Sequence, residues 1–186
     1  VHDESLLQAV LDSNFEGRRR LDPDTLICPQ SGAAALRAAG AAVAGVDAVM
    51  KGETSTVFCA VRPPGHHATA DAAMGFCLIN SVAVAAAYAL DRHGLERVAI
   101  VDFDVHHGNG TQAIFYNEPR VAYFSTHESG IYPFTGSPYE RGVGNVLNAL
   151  LPPGTGGFRF RNVWLDSMLP ALDAFRPQLL LISAGF

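Results

Sequence analysis

Asp102, Asp104 and His106 stand at i, i+2 and i+4, directly after the apolar run RVAIV. In extended chain alternate side chains share one face, so two or three of these groups can converge on one point. A carboxylate oxygen and an imidazole nitrogen together suit a borderline divalent ion such as zinc, and also iron or cobalt. The bland alternative is a charged strand end facing water. Two aspartates followed by two histidines, a glycine and an asparagine are unusual for such an end. The local pattern leaves open which aspartate binds metal and which supports a neighbour. A catalytic zinc site takes three protein ligands and keeps one position open. Asp104 and His106 supply two, so a third must come from elsewhere.

A second histidine doublet lies in RPPGHHA, Arg62 to Ala68. Two prolines stiffen the approach and Gly65 permits a tight bend. Adjacent histidines after such a turn can act as general base and as general acid or electrostatic partner, provided a carboxylate or amide fixes each tautomer. Asp102 and Asn109 are chemically suitable for that task. A doublet alone is a weak signal, because surface histidines are common. His66-His67 and His106-His107 reinforce each other, since both are expected at strand ends.

The elements that must position these groups alternate. A short helix and a polar loop are expected over residues 3–20, and a helix packed through small side chains over 33–50. TVFCAV, residues 56–61, reads as a buried strand leading into the proline loop. Helical segments follow at 79–92, 110–116 and 164–175, and apolar strands at 97–104, 120–125 and 178–185. Such alternation predicts an α/β domain with a parallel sheet covered on both faces. Ligands bind beyond the carboxyl ends of strands in these folds, and the suspicious residues obey that rule.

Composition excludes several classes. The 186 residues fit one domain, carry a formal charge of −5 and are 48% apolar. No basic face for nucleic acid is evident, and the Arg18–Arg20 run reads as solvated surface. Cys28, Cys59 and Cys77 are odd in number and widely spaced, which argues against a zinc knot or a disulfide framework. A reducing, cytoplasmic setting is the expectation, with no signal peptide and no membrane span.

RPPGHHA, MGFCLIN (Met74–Asn80), VDFDVHHGNGT (Val101–Thr111), YFSTHE (Tyr123–Glu128) and ISAGF (Ile182–Phe186) together resemble the zinc-dependent histone deacetylase family. That family includes bacterial deacetylase-like amidohydrolases, acetylpolyamine amidohydrolases and acetoin-utilisation proteins. MGFCLIN and HHGNGT look closer to its class II-like branch. The resemblance implies an arginase/deacetylase-like three-layer fold: a mostly parallel central sheet flanked by helices, incomplete in this chain. It assigns one zinc ion to Asp104 and His106. It makes His66 the histidine paired with Asp102, and His67 the principal base and acid, oriented by Asn109. Many members have aspartate at that last position. Asparagine adds no negative charge, so His67 should be less basic here.

The resemblance further implies a substrate tunnel walled by Gly75 and Phe76, with either Tyr132 or Phe134 opposite. It implies structural potassium or sodium: an inner site drawing on Asp102, Asp104, His106, Ser125 and Thr126, and an outer site using the backbone at Phe115 and Val121. The expected partner is an acylated lysine peptide or a small acetylated amine. Neither nucleic acid nor membrane is expected, and homo-oligomerisation is left open. The implied reaction is metal-assisted amide hydrolysis. The third zinc ligand, an aspartate directly after SAGF, and an oxyanion-stabilising tyrosine would both fall after Phe186. The chain is therefore expected to be a single, truncated deacetylase domain over residues 1–186. The alternatives are an acetylpolyamine amidohydrolase, an inactive fragment that keeps the fold, and an arginase-like manganese hydrolase, the last disfavoured by too few aspartates around HHGNG.

Overall fold

A computed structural model describes residues 1–185. The chain opens with α1 (Glu4–Leu11) and an antiparallel hairpin of β1 (Arg19–Asp22) and β2 (Thr25–Ile27). It continues through α2 (Ser31–Met50), α3 (Ser81–Arg92), β3 (Val98–Asp102), α4 (Asn109–Phe115), β4 (Val121–Glu128) and β5 (Val146–Leu151). The final stretch is α5 (Gly157–Val163), a π-helical turn (Trp164–Met168), α6 (Leu169–Phe175) and β6 (Leu179–Ser183).

β5, β4, β3 and β6 form, in that order, one parallel sheet. Its centre explains its sequence. All five residues of β3 are buried, because consecutive side chains point into two different cores. Val98 and Ile100 join Val121, Tyr123 and Val146 under α3 and α4, with α2 behind. Ala99 and Val101 join Ala122, Phe124 and Met168 beneath α5, the π-turn and α6. The result is three layers: helices, sheet, helices. A further cluster, Leu6, Val10, Ile27, Leu78 and Ile79, ties α1 and the hairpin to the loop that carries the histidine doublet.

α2 has the length and apolarity to cross a bilayer, with mean hydropathy 1.4 over 18 of its residues. In the fold it presents Gly32, Ala35, Ala38, Ala39 and Val46 inward against α1 and α3. At Gly32 the approach is so close that a Cβ would lie 2.6 Å from the Val10 carbonyl oxygen.

Three expectations need correction. TVFCAV forms no strand: Val57, Phe58 and Val61 are exposed, and the Cys59 thiol donates to the Ala41 carbonyl of α2 at 3.5 Å. Apolar β-type residues signal an extended segment, but a strand also needs a neighbouring edge to pair with, and this run lies along a helix. The helix expected from 164 begins at Gly157 and is interrupted by the π-turn. Finally, β5 and the β1–β2 hairpin were not anticipated. VLNALL in β5 is broken by Asn148, whose burial depends on partners remote in sequence.

Candidate metal and acid–base site

The parallel register sets Asp102 opposite both Ser125 of β4 and Ser183 of β6, so β3 and β6 end at one level while β4 runs on to Glu128. The chain after β3 turns back there. Asp102 Oδ1 accepts from the Asp104 amide at 3.2 Å, and Asp104 Oδ1 accepts from the His106 amide at 2.7 Å. These local bonds aim the two carboxylates and the imidazole at one region. β6 leads to the same spot: a Cβ on Gly185 would lie 1.5 Å from Asp104 Oδ2, so that position admits no side chain.

The RPPGHHA loop is clamped against this turn. Asn80 caps α3 by accepting from the Ala83 amide at 3.1 Å, while its Nδ2 donates to the Ala68 carbonyl and to Thr111. His2 adds a second fastening, with Nδ1–H donating to the Thr69 carbonyl (2.8 Å) and Nε2 accepting from the Asn80 amide (2.9 Å). Gly110 lets the two loops touch, since a Cβ there would sit 2.2 Å from the Ala68 carbonyl oxygen.

The two histidines of this loop are nearly buried, with ring centroids 4.0 Å apart, and they have different partners. His66 Nδ1 donates to the Asp102 carboxylate at 3.0 Å. The same carboxylate oxygen accepts from the hydroxyl of the fully buried Tyr123 at 3.1 Å. His67 Nδ1 lies 2.9 Å from Asn109 Oδ1, while Asn109 Nδ2 donates to the Met74 sulfur at 3.4 Å. A thioether can only accept, so the amide oxygen faces the ring and Nδ1 carries the proton. Among the described residues neither histidine's Nε2 has a hydrogen-bond partner.

The electrostatics separate the pair. Burial pulls His66 down, but the bond and charge of Asp102, with the charge of Asp104, outweigh it and leave His66 above its ordinary value. For His67, burial and the neighbouring His66 prevail over Asn109, and it falls to about 4.

Behind these groups a polar network fastens the loop after β4. Gln112 Nε2 donates to Glu140, so its Oε1 accepts from Asn148 Nδ2 (2.7 Å) and from His107 Nε2–H (3.0 Å). His107 Nδ1 then accepts from the Thr135 hydroxyl at 2.8 Å. His127 donates from Nε2 to the Gly136 carbonyl (3.1 Å) and accepts from Ser125 at Nδ1 (2.9 Å). Burial holds His107 down to about 3 and lowers His127. Gln112, Asn148, Thr135, Glu140, Tyr123 and Asn80 escaped the sequence reading as site-building residues, because nothing in their local pattern marks them.

The same loop places Tyr132 edge-on to His67, with centroids 5.2 Å apart, and within 6.4 Å of His106. Phe134 is 78% exposed. Gly75 and Phe76 are successive left-handed residues (φ 56° and 64°); a Cβ on Gly75 would lie 2.4 Å from the His67 ring, and Phe76 is 65% exposed. Ser125 and Thr126 are buried at the end of β4; the Thr126 hydroxyl accepts from the Trp164 indole at 3.3 Å.

Two histidines with separately fixed tautomers, a carboxylate–imidazole pair and the Tyr132 ring thus gather beside the ends of β3 and β6. The histone deacetylase domain profile matches residues 1–186. The chain belongs to the histone deacetylase family. It is 46% identical to an uncharacterized protein of Synechocystis sp. over 186 residues, which is 100% of this chain and 61% of that protein. It is 42% identical to a histone deacetylase-like amidohydrolase of Pseudomonas aeruginosa over 191 aligned residues, covering 100% of this chain and 50% of the relative. The crystal structure of the HDA15 HD domain superposes with a TM-score of 0.92 at 38% identity, over 100% of this chain and 55% of that one. These likenesses make the fold arginase/deacetylase-like, with part of it spanned here: the chain covers one half to three fifths of the length of these relatives.

The donor set bears on the metal that the family implies. Asp104 Oδ1 and His106 Nδ1 lie 3.1 Å apart, close to the roughly 3.3 Å between neighbouring tetrahedral donors at zinc bond lengths of about 2.0–2.1 Å. The same distance is that of a hydrogen bond between them, and the two groups are chemically suited to neighbouring positions around one ion. Among the described residues no group of three or more His, Cys, Asp or Glu side chains converges to complete it. The third ligand expected after Phe186, and Phe186 itself, lie outside the described residues.

Proposed function

We propose that this chain carries the acid–base half and two zinc ligands of a hydrolase that removes acetyl or short acyl groups from acylated lysine or a related amine. The observation that carries the reading is the pair of unlike dyads, His66–Asp102 and His67–Asn109, side by side at 3.0 and 2.9 Å. Neighbouring titratable groups whose surroundings push their pKa values apart are suited to opposite proton-transfer roles.

His67, neutral and with Nε2 unpartnered, is the base that takes a proton from the attacking water. His66, held more basic by Asp102, is the neighbour that takes up a proton more readily. It favours negative charge as it develops on the acyl oxygen. Proton return to the leaving amine comes from His67. Tyr132 and Phe76 flank the approach and exclude water from an extended acyl-amine stem. Asp104 and His106 would hold the zinc ion, which when bound supplies Lewis-acid polarisation of the acyl carbonyl and of water. For the inner alkali-cation site, Ser125 gives its proton to His127 and so keeps its oxygen lone pairs available beside Asp102.

A small cationic substrate is a second reading. It is favoured by Asp24 and Asp22, whose charges, after burial, help push the Tyr132 hydroxyl up to about 12. The test is hydrolysis of an acetyl-lysine peptide and of an acetylated polyamine by the zinc-supplemented protein, with bound metal measured in parallel. His67→Ala should abolish turnover and leave metal content unchanged. Loss of the metal in that variant would make His67 a ligand and sink the assignment of roles.

A further inference from the structure

The outer alkali-cation site implied at Phe115 and Val121 is already filled by a side chain. α4 ends at Phe115, whose carbonyl accepts a turn bond from the Glu118 amide at 3.1 Å and keeps a second lone pair for another donor. The chain then turns twice before β4, and the carbonyls of Phe115, Glu118 and Val121 converge. Asn145 Nδ2 sits among them, 2.8 Å from Phe115 O, 3.1 Å from Glu118 O and 2.8 Å from Val121 O. An amide nitrogen carries two protons. Three oxygens around it exceed what those protons can satisfy singly, and the arrangement is the one a small cation would draw together.

The amide is built in rather than adrift. Asn145 is 9% exposed. Its Oδ1 accepts from the Val143 amide at 3.1 Å, and its own carbonyl accepts from the Tyr123 amide at 2.8 Å, at the start of β5. Gly142 makes the room: it has φ 55°, and a Cβ there would lie 2.4 Å from Asn145 Oδ1. With Oδ1 committed to Val143, Nδ2 is the atom that must face the cage. An ion held by the same carbonyls would have to evict it.

We infer that Asn145 is a covalent substitute for the outer cation, its amide bridging the end of α4 to the start of β4 so that this chain needs no potassium or sodium there. The residues present therefore do not fit an outer ion, in contrast to the inner set around Ser125. The inference concerns ion dependence of the fold and stands apart from the catalytic reading; neither depends on the other.

The experiment is a titration of the whole chain with potassium chloride, against tetramethylammonium chloride at equal ionic strength, followed through the Asn145 side-chain NH2 resonances. These are assigned by their disappearance in Asn145→Asp. In the wild type they should not move with potassium, while saturable shifts near Ser125 would report the inner ion alone and agree with the proposal. A saturable potassium-specific shift of the Asn145 NH2 signals would overturn it. Thermal unfolding gives an independent readout. Asn145→Ala and Asn145→Ser open the cage, so potassium should raise their midpoints more than the wild type's. Equal potassium dependence in wild type and both variants would also overturn it. If Asn145→Ala does not fold, Asn145→Ser and the wild-type resonances still decide the matter.

Discussion

His67 Nδ1 lies 2.9 Å from the amide oxygen of Asn109, a neutral partner where its neighbour His66 has a carboxylate. The difference makes His66 the more basic imidazole of the two. Asn109→Asp places a negative charge at hydrogen-bond distance from a nearly buried ring, which favours the imidazolium. The His67 pKa should rise from about 4 by roughly 1–3 units. Nuclear magnetic resonance titration of the ring would show this directly. Because the base must be neutral, the acidic limb of the kcat/KM profile should move to higher pH by the same amount. An unmoved limb would mean that another group limits the rate on the acid side.

Stability should also depend on pH, with a sign fixed by the buried imidazoles. His107 and His67 are held to about 3 and about 4, against 6.5 when unfolded, and His127 is lowered as well. Between those folded values and 6.5 the unfolded chain binds more protons, so stability rises with pH there and is lost on acidification. Each such group contributes at most about 1.4 kcal/mol per pH unit. His66 is raised and acts oppositely, losing its contribution as pH rises through its folded value. The denaturant midpoint, measured with chelator present, should fall as pH drops below 6.5. His107→Gln should flatten that slope. An unchanged slope would show that His107 titrates freely in the folded protein.

The strands over the centre of the sheet were legible because β3 is buried on both faces and so reads as one unbroken apolar run. β5 was not, because Asn148 looks like a loop residue until Gln112, distant in sequence, is brought to its amide. The histidine doublets and the two aspartates announced themselves by residue type and spacing. Their supports did not. Tyr123 reads as an ordinary strand aromatic, and only the fold shows its hydroxyl bonded to both Asp102 and the Gly108 amide. Asn145 is the sharpest case, since its importance lies wholly in three carbonyls from another part of the chain.

The hairpin tip positions Gly75 and Phe76, the pair proposed to line the substrate approach. The Gly75 amide donates to Asp24 Oδ1 at 3.2 Å and the Phe76 amide to the buried Thr25 hydroxyl at 3.1 Å. A left-handed phenylalanine costs about 1–2 kcal/mol, so these bonds hold a conformation that Phe76 would otherwise leave. Asp24→Ala and Thr25→Val should speed amide exchange at residues 75 and 76 about 10-fold or more, given about 1.5–3 kcal/mol for a bond to a charged acceptor. KM for an acyl-lysine peptide should rise with kcat little changed, and Asp24→Asn and Thr25→Ser should restore both. Exchange left at the wild-type rate in Asp24→Ala would show that the hairpin is a bystander.

Tyr132 allows its wall role to be separated from any chemical role. Among the described residues its hydroxyl is buried without a hydrogen-bond partner, while its ring edge meets His67 at 5.2 Å. An unsatisfied buried hydroxyl carries a desolvation cost of about 1–3 kcal/mol, so Tyr132→Phe should leave the melting midpoint equal or higher and keep the ring where it is. Tyr132→Ala removes the ring, exposes His67 to water and should raise its pKa toward the ordinary value by relieving burial, the largest of the effects that lower it. If the ring is a wall, peptide hydrolysis survives in Tyr132→Phe and KM rises in Tyr132→Ala. If instead Tyr132→Phe loses turnover at unchanged KM, the hydroxyl acts on the reacting group, and the neighbouring carboxylates of Asp22 and Asp24 become its tuning partners rather than a feature of the tunnel mouth.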